Sequence, residues 1–94
     1  MPYISKERRR LYDDNLSDLI STLNGSGKKA GDICYIITRI IDGTLGKDFT
    51  EMATAIGILG ATKEEYYRRI VAGYEDEKAS MYGDVYRKRP HQSR

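Results

Sequence analysis

Tyrosine and arginine are interleaved toward the two ends of this sequence. Tyr3, Tyr66, Tyr67, Tyr74, Tyr82 and Tyr86 stand among Arg8, Arg9, Arg10, Arg68, Arg69, Arg87 and Arg89. A guanidinium forks onto a phosphate and a phenol ring stacks on a base, so this combination can grip a nucleotide without reacting with it. Lys28 and Lys29 add two cations behind Asn24-Gly25-Ser26-Gly27. That loop has backbone donors ahead of a helix but lacks the Gly-Lys-Ser/Thr signature of a phosphate-binding loop, and it reads foremost as a flexible turn. The tyrosines have a second reading as well. Tyr66, Tyr67, Ile70 and Tyr74 also fit a stripe facing a core or an interface, with the hydroxyls reaching outward. Packing is the stronger of the two readings for this group.

Catalytic chemistry has little to work with. His91 is the single histidine and lies in the basic tail, which argues against histidine-based acid–base, triad or metal chemistry. The carboxylate runs Asp13-Asp14, Glu64-Glu65 and Glu75-Asp76-Glu77 are adjacent in sequence, so on a helix they diverge and form a solvated face. Cys34 is alone, which excludes an internal disulfide and a cysteine-based zinc site. It sits in the apolar run Ile33 to Ile37 and is expected to be a small core residue. The expectation is a protein that is not an enzyme and carries no cofactor.

The elements that must position these residues read as helices. Ser5 is an N-cap candidate for the first, with Pro2 upstream, and Tyr12, Leu16, Leu19, Ile20 and Leu23 recur at three- and four-residue steps. Asn24 to Gly27 stops that helix. Residues 31–42 follow, where Ile33, Ile36, Ile37, Ile40 and Ile41 fit a helical face better than a strand's alternation. Asp48 is placed to cap a third helix with Glu51 at its third position, and Phe49, Met52, Ala53, Ile56 and Leu59 form its stripe. Gly60 is expected to end it, because Thr62-Lys63-Glu64-Glu65 reads as a capping box opening a fourth. A single long helix through Gly57 and Gly60 is the alternative. Gly73 is expected to bend the last helix and Gly83 to stop it. The reading is therefore all-α, a compact bundle of three to four helices, with one domain over residues 1–86. Residues 87–94 form a basic tail, expected to fray.

Four strings carry a resemblance: Met1-Pro2-Tyr3-Ile4, Tyr67-Arg68-Arg69-Ile70-Val71-Ala72, Tyr74-Glu75-Asp76-Glu77-Lys78 and Gly83-Asp84-Val85-Tyr86. In this order they resemble a family of short, uncharacterised proteins of phages, mobile elements and prokaryotic genomes. The likeness spans about residues 1–86 and is sharp only at the two ends. Members of that family carry Pro where this chain has Gly73. The resemblance implies a phage-like origin and supplies no activity.

Composition bounds what remains. Ninety-four residues make a thin core, which invites a homo-oligomer. A net charge of +2 is too small to imply a nucleic-acid partner. No run of residues is long and apolar enough for a membrane span and no signal-peptide pattern opens the chain, so the expected location is cytoplasmic. The leading functional expectation is a non-enzymatic binding protein that sequesters a small anionic, nucleotide-like ligand, as a phage counter-defence sponge would. The residues expected to contact it are Tyr3, Arg8, Arg9, Tyr12, Lys28, Lys29, Tyr66, Tyr67, Arg68 and Arg69. An inhibitor or adaptor acting on a host protein is the alternative. A weak helix-turn-helix contact with DNA at Gly60-Ala61 comes third, because Glu64 and Glu65 would repel phosphates there.

Overall fold

A computed structural model describes residues 2–87. Among them every regular element is helical, so the chain is all-α as expected. The basic tail lies outside the described residues from Lys88 onward, and Arg87 has no regular structure.

Three of the helices start where a side chain meets a free N–H group. The Ser5 hydroxyl accepts from the Arg8 N–H at 3.2 Å and opens α1 (Lys6–Arg9). This helix closes after a single turn. The N–H groups of Leu11 and Tyr12 reach back only three residues, to the carbonyls of Arg8 and Arg9. That tight winding separates α1 from α2 (Asp13–Gly25), so the first expected helix is two. Asp13 and Asp14 sit in the first turn of α2, where negative charge complements the helix dipole. In α3 (Ala30–Thr44) the Asp32 carboxylate accepts from the Lys29 N–H at 3.1 Å. The isoleucines there are helical because five of them fall on one side.

The start of α4 (Phe49–Tyr66) follows the expected pattern. The Asp48 carboxylate accepts from the Glu51 N–H at 2.9 Å, and Glu51 reaches back to the Gly46 N–H at 2.9 Å. A Cβ at position 46 would meet the Glu51 carboxylate and make that flexible side chain shift. The helix does not stop at Gly60. It runs through Gly57, Gly60 and Thr62, continues as a π-helical turn at Tyr67–Val71, and resumes as α5 (Ala72–Tyr82). Thr62 does not cap; its hydroxyl donates to the Ile58 carbonyl four residues back at 2.8 Å, as an interior threonine does. The turn needed for a helix-turn-helix is therefore absent. The irregularity expected at Gly73 falls just ahead of it, in the π turn. Gly83, at φ +92°, ends the rod in a backbone conformation that favours glycine.

Counting α4, the π turn and α5 as one rod, the described residues form four helical units. They do not close into a compact bundle. The radius of gyration is 18.3 Å, against about 12 Å for a compact chain of this length. Outside the rod's consecutive turns, no two helices share more than a slight contact. No described residue is buried. Cys34 is exposed, not a core residue, and Tyr66, Tyr67, Ile70 and Tyr74 are all more than half exposed. The apolar stripes exist as the sequence requires, but this chain does not fold them onto each other.

Candidate functional site

Among the described residues, the hydrogen bond that spans the most sequence joins the N-terminal segment to the middle of the rod. The Tyr3 hydroxyl donates to Glu65 Oε1 at 2.5 Å across 62 residues of sequence. Arg68 Nη2 donates to the same oxygen at 2.7 Å. Arg9 fixes the approach, its Nε donating to the Ile4 carbonyl at 2.9 Å so that α1 holds the segment carrying Tyr3. The Glu65 side chain is only 19% exposed, the most sheltered charge in this group.

Three titrating groups record the contact. The Tyr3 hydroxyl and then Arg68 hold the Glu65 carboxyl below its ordinary range. Donation to that carboxylate pushes the Tyr3 phenol up, partly offset by the positive fields of Arg69 and Arg68. Glu65 likewise raises Arg68. A carboxylate whose folded pKa is depressed stabilises the fold above its unfolded value, and the contribution is lost as pH falls through the lowered folded value. A phenol whose folded pKa is raised behaves oppositely, losing its contribution as pH climbs through the raised value. The Tyr3 tether is therefore expected to hold across neutral pH and to release in acid below the ordinary carboxylate range. Amide exchange of residues 3–9 measured at pH 7 and pH 3 checks this: exchange accelerates in acid relative to the intrinsic rate. Unchanged protection at both values refutes the tether.

The ten residues expected at the site do not converge. Tyr3 and Arg68 meet on Glu65, and Arg69 is near enough for its charge to act on the Tyr3 phenol, with Arg8 and Arg9 on the adjoining α1. Lys28 is on the α2–α3 turn, where its ammonium donates to Asn24 Oδ1 at 2.9 Å. Lys29 precedes α3, and no contact ties either lysine to the Tyr3 group. Tyr12 lies at the start of α2. Tyr66 sits at the end of α4 and makes no polar contact with the group. Tyr67 points down the rod to Glu75, donating at 2.5 Å, and that carboxylate pushes its phenol up. The π turn explains this pairing. Eight residues apart on an α-helix diverge by about 80°, but one extra residue in the π turn brings them close to two full turns.

Glu65 is the residue that the sequence reading missed. Its spacing to Arg68, three residues on a helix, was the available signal; nothing local pointed to Tyr3. A second feature was also missed. Tyr67, Tyr74, Glu75, Tyr82, Asp84 and Tyr86 line an open groove of about 610 Å³. Lys78 lies over the rings of Tyr74 and Tyr82, at 5.4 and 5.6 Å from their centres. The lining sets Glu75, Asp76 and Asp84 against one lysine, so the groove itself carries more negative than positive side chains.

Among the described residues no group of histidine, cysteine and carboxylate side chains could hold a metal ion, and no helix is long and apolar enough to cross a membrane. The model of one family, a domain of unknown function (DUF6899), matches residues 1–85. The chain belongs to the DUF6899 family. The match spans both halves of the site, from Tyr3 through Glu65, Arg68 and Arg69, and nearly all of the tyrosine groove of this DUF6899 protein. No curated protein and no solved structure matches the chain.

Proposed function

We propose that this DUF6899 protein is a non-catalytic binding protein that holds a small anionic, nucleotide-like ligand where Tyr3 meets Arg68 and Arg69. The observation that carries this reading is the π turn beneath the N-terminal segment. A π turn is less favourable than continuous α-helix and recurs at functional positions. Here it carries Arg68 and Arg69 and begins two residues after Glu65, the anchor of Tyr3. Glu65 already pairs with Arg68, which keeps that guanidinium oriented. Arg69 has no ion-pair partner among the described residues, and Arg8 and Arg9 stand on the adjoining helix, so the arginines outnumber the carboxylates of Glu7, Glu64 and Glu65. Tyr3 supplies a ring face. A sponge that lowers the free concentration of a nucleotide signal needs no more chemistry than this, and a phage setting would suit it.

The acidic tyrosine groove favours a second reading, an adaptor or inhibitor that engages a basic segment of a host protein. The two readings use different stretches of the rod, its middle and its C-terminal end, so one experiment separates them. Mono-, di- and cyclic nucleotides, with inorganic phosphate as control, are tested for their effect on the melting temperature. On the ligand reading, one nucleotide class at about 100 times its Kd raises the melting temperature by roughly 10 °C or more. If no nucleotide shifts melting at millimolar concentration, the ligand reading fails and the groove becomes the place to look.

A further inference from the structure

The described residues contain no buried side chain, yet two of the helices have sequences that call for a core. From Met52 to Thr62, eleven consecutive residues of α4 carry no charge, and apolar side chains lie on all sides of it. A helix apolar all round belongs in an interior. Phe49 is nevertheless 83% exposed and Ile56 70%. On α3, Ile33, Ile37 and Ile40 make one stripe, each at least 40% exposed.

The surface area measures how much is left uncovered. The chain exposes 8784 Å², whereas a folded monomer of 10.7 kDa exposes about 5,500 Å². Even counted as fully extended, residue 1 and residues 88–94 would account for about 1,500 Å² of the excess. About 1,800 Å² remains. A standard interface covers about 800 Å² on each partner, and obligate homodimers cover more. The exposed faces are thus of the size that an obligate subunit contact uses.

We infer that the apolar faces of α3 and α4 are covered by a second copy of this chain, as an obligate homo-oligomer. Three observations select a second copy over a foreign partner. A chain without a core has no stable folded state alone, so its complement must be present in equal amount wherever the chain is made; a second copy always is. The α3 and α4 faces, on helices of 15 and 18 residues, can cover each other's counterparts across a two-fold axis. The uncharged stretch of α4 lets identical faces meet without like charges opposing. Gly57 and Gly60 agree with this. Each costs about 0.8–1 kcal/mol in a helix interior relative to Ala, and within the chain a Cβ at either would meet nothing within 4 Å. Close approach of a neighbouring helix accounts for them.

The inference does not rest on the ligand reading, because assembly is measured without nucleotide. Light scattering after size exclusion, over a protein range of about 1–100 μM, is expected to give a whole-number multiple of the chain mass, two or greater. The melting temperature is expected to rise with protein concentration. Ile56→Glu is expected to lose both the assembly and most of the helical circular dichroism at the same concentration. Phe49→Ala, milder and next to the cap, is expected to keep its helix at high concentration but to need at least about tenfold more protein to assemble. A folded 10.7 kDa monomer with a concentration-independent melting temperature would overturn the inference. So would helix formation that requires a different protein.

Discussion

Ala61→Pro will remove much of the helical signal of this protein and destabilise it by about 3 kcal/mol or more. Position 61 lies inside α4, four residues after Gly57 and five before the helix gives way to the π turn. Proline there deletes a main-chain donor and presses its ring against the carbonyl of Gly57. The alternative arrangement makes the opposite forecast. If Gly60 ended one helix and Thr62 capped the next, residue 61 would precede the cap, where proline is tolerated. Urea unfolding followed by far-ultraviolet circular dichroism decides between them. A loss below about 1 kcal/mol with helix content intact would show that the rod is interrupted there. The effect reaches beyond α4, because the rod carries Glu65 and Arg68 to Tyr3 and carries the groove at its far end.

Local chemistry was legible wherever one residue decided the outcome. Ser5 and Asp48 announce helix starts because their side-chain oxygens meet free N–H groups, and Gly83 announces a stop because it tolerates positive φ. The isoleucines of α3 were legible through their spacing. Gly60 was misleading for a physical reason. Glycine followed by Thr-x-x-Glu is the pattern of a stop and a restart, but a threonine hydroxyl can equally bond the carbonyl four residues back, and Thr62 does so. Cys34 was expected inside because its neighbours are apolar; it is exposed because no other helix of the chain covers that face.

The candidate site was legible in residue types and illegible in geometry. Of the ten residues, Tyr3 and Arg68 meet on Glu65, and Arg69 is near enough for its charge to act on the Tyr3 phenol. Lys28, Lys29, Tyr12 and Tyr67 were expected beside them and are elsewhere, since proximity between distant segments follows from packing that no periodicity encodes. The contact from Tyr3 to Glu65 spans 62 residues and has no local signature. The π turn is equally silent in sequence. It shifts the register by one residue, and that shift sends Tyr67 toward Glu75.

The second large effect concerns Arg68 and Glu65 taken together. If the proposed ligand site is right, Arg68→Ala weakens nucleotide binding by about 100-fold or more while changing stability little. The two consequences differ because the Arg68 side chain is 65% exposed, and an ion pair so open to water contributes little to folding. For a phosphate ligand the loss is larger. Removing the guanidinium takes away a charge-assisted donor and leaves the Glu65 carboxylate facing the anion without its partner. Adding Glu65→Ala to Arg68→Ala should therefore recover part of the affinity, even though it deletes a second polar group and releases Tyr3. Isothermal titration of the wild type, both single variants and the double variant closes the cycle. A positive coupling between the two positions places the ligand beside them. Additive losses, or an Arg68→Ala protein that binds like wild type, would move the anion to another part of the molecule. Arg69→Ala sharpens the result: its guanidinium has no carboxylate partner among the described residues, so its loss is expected to be the removal of one donor alone.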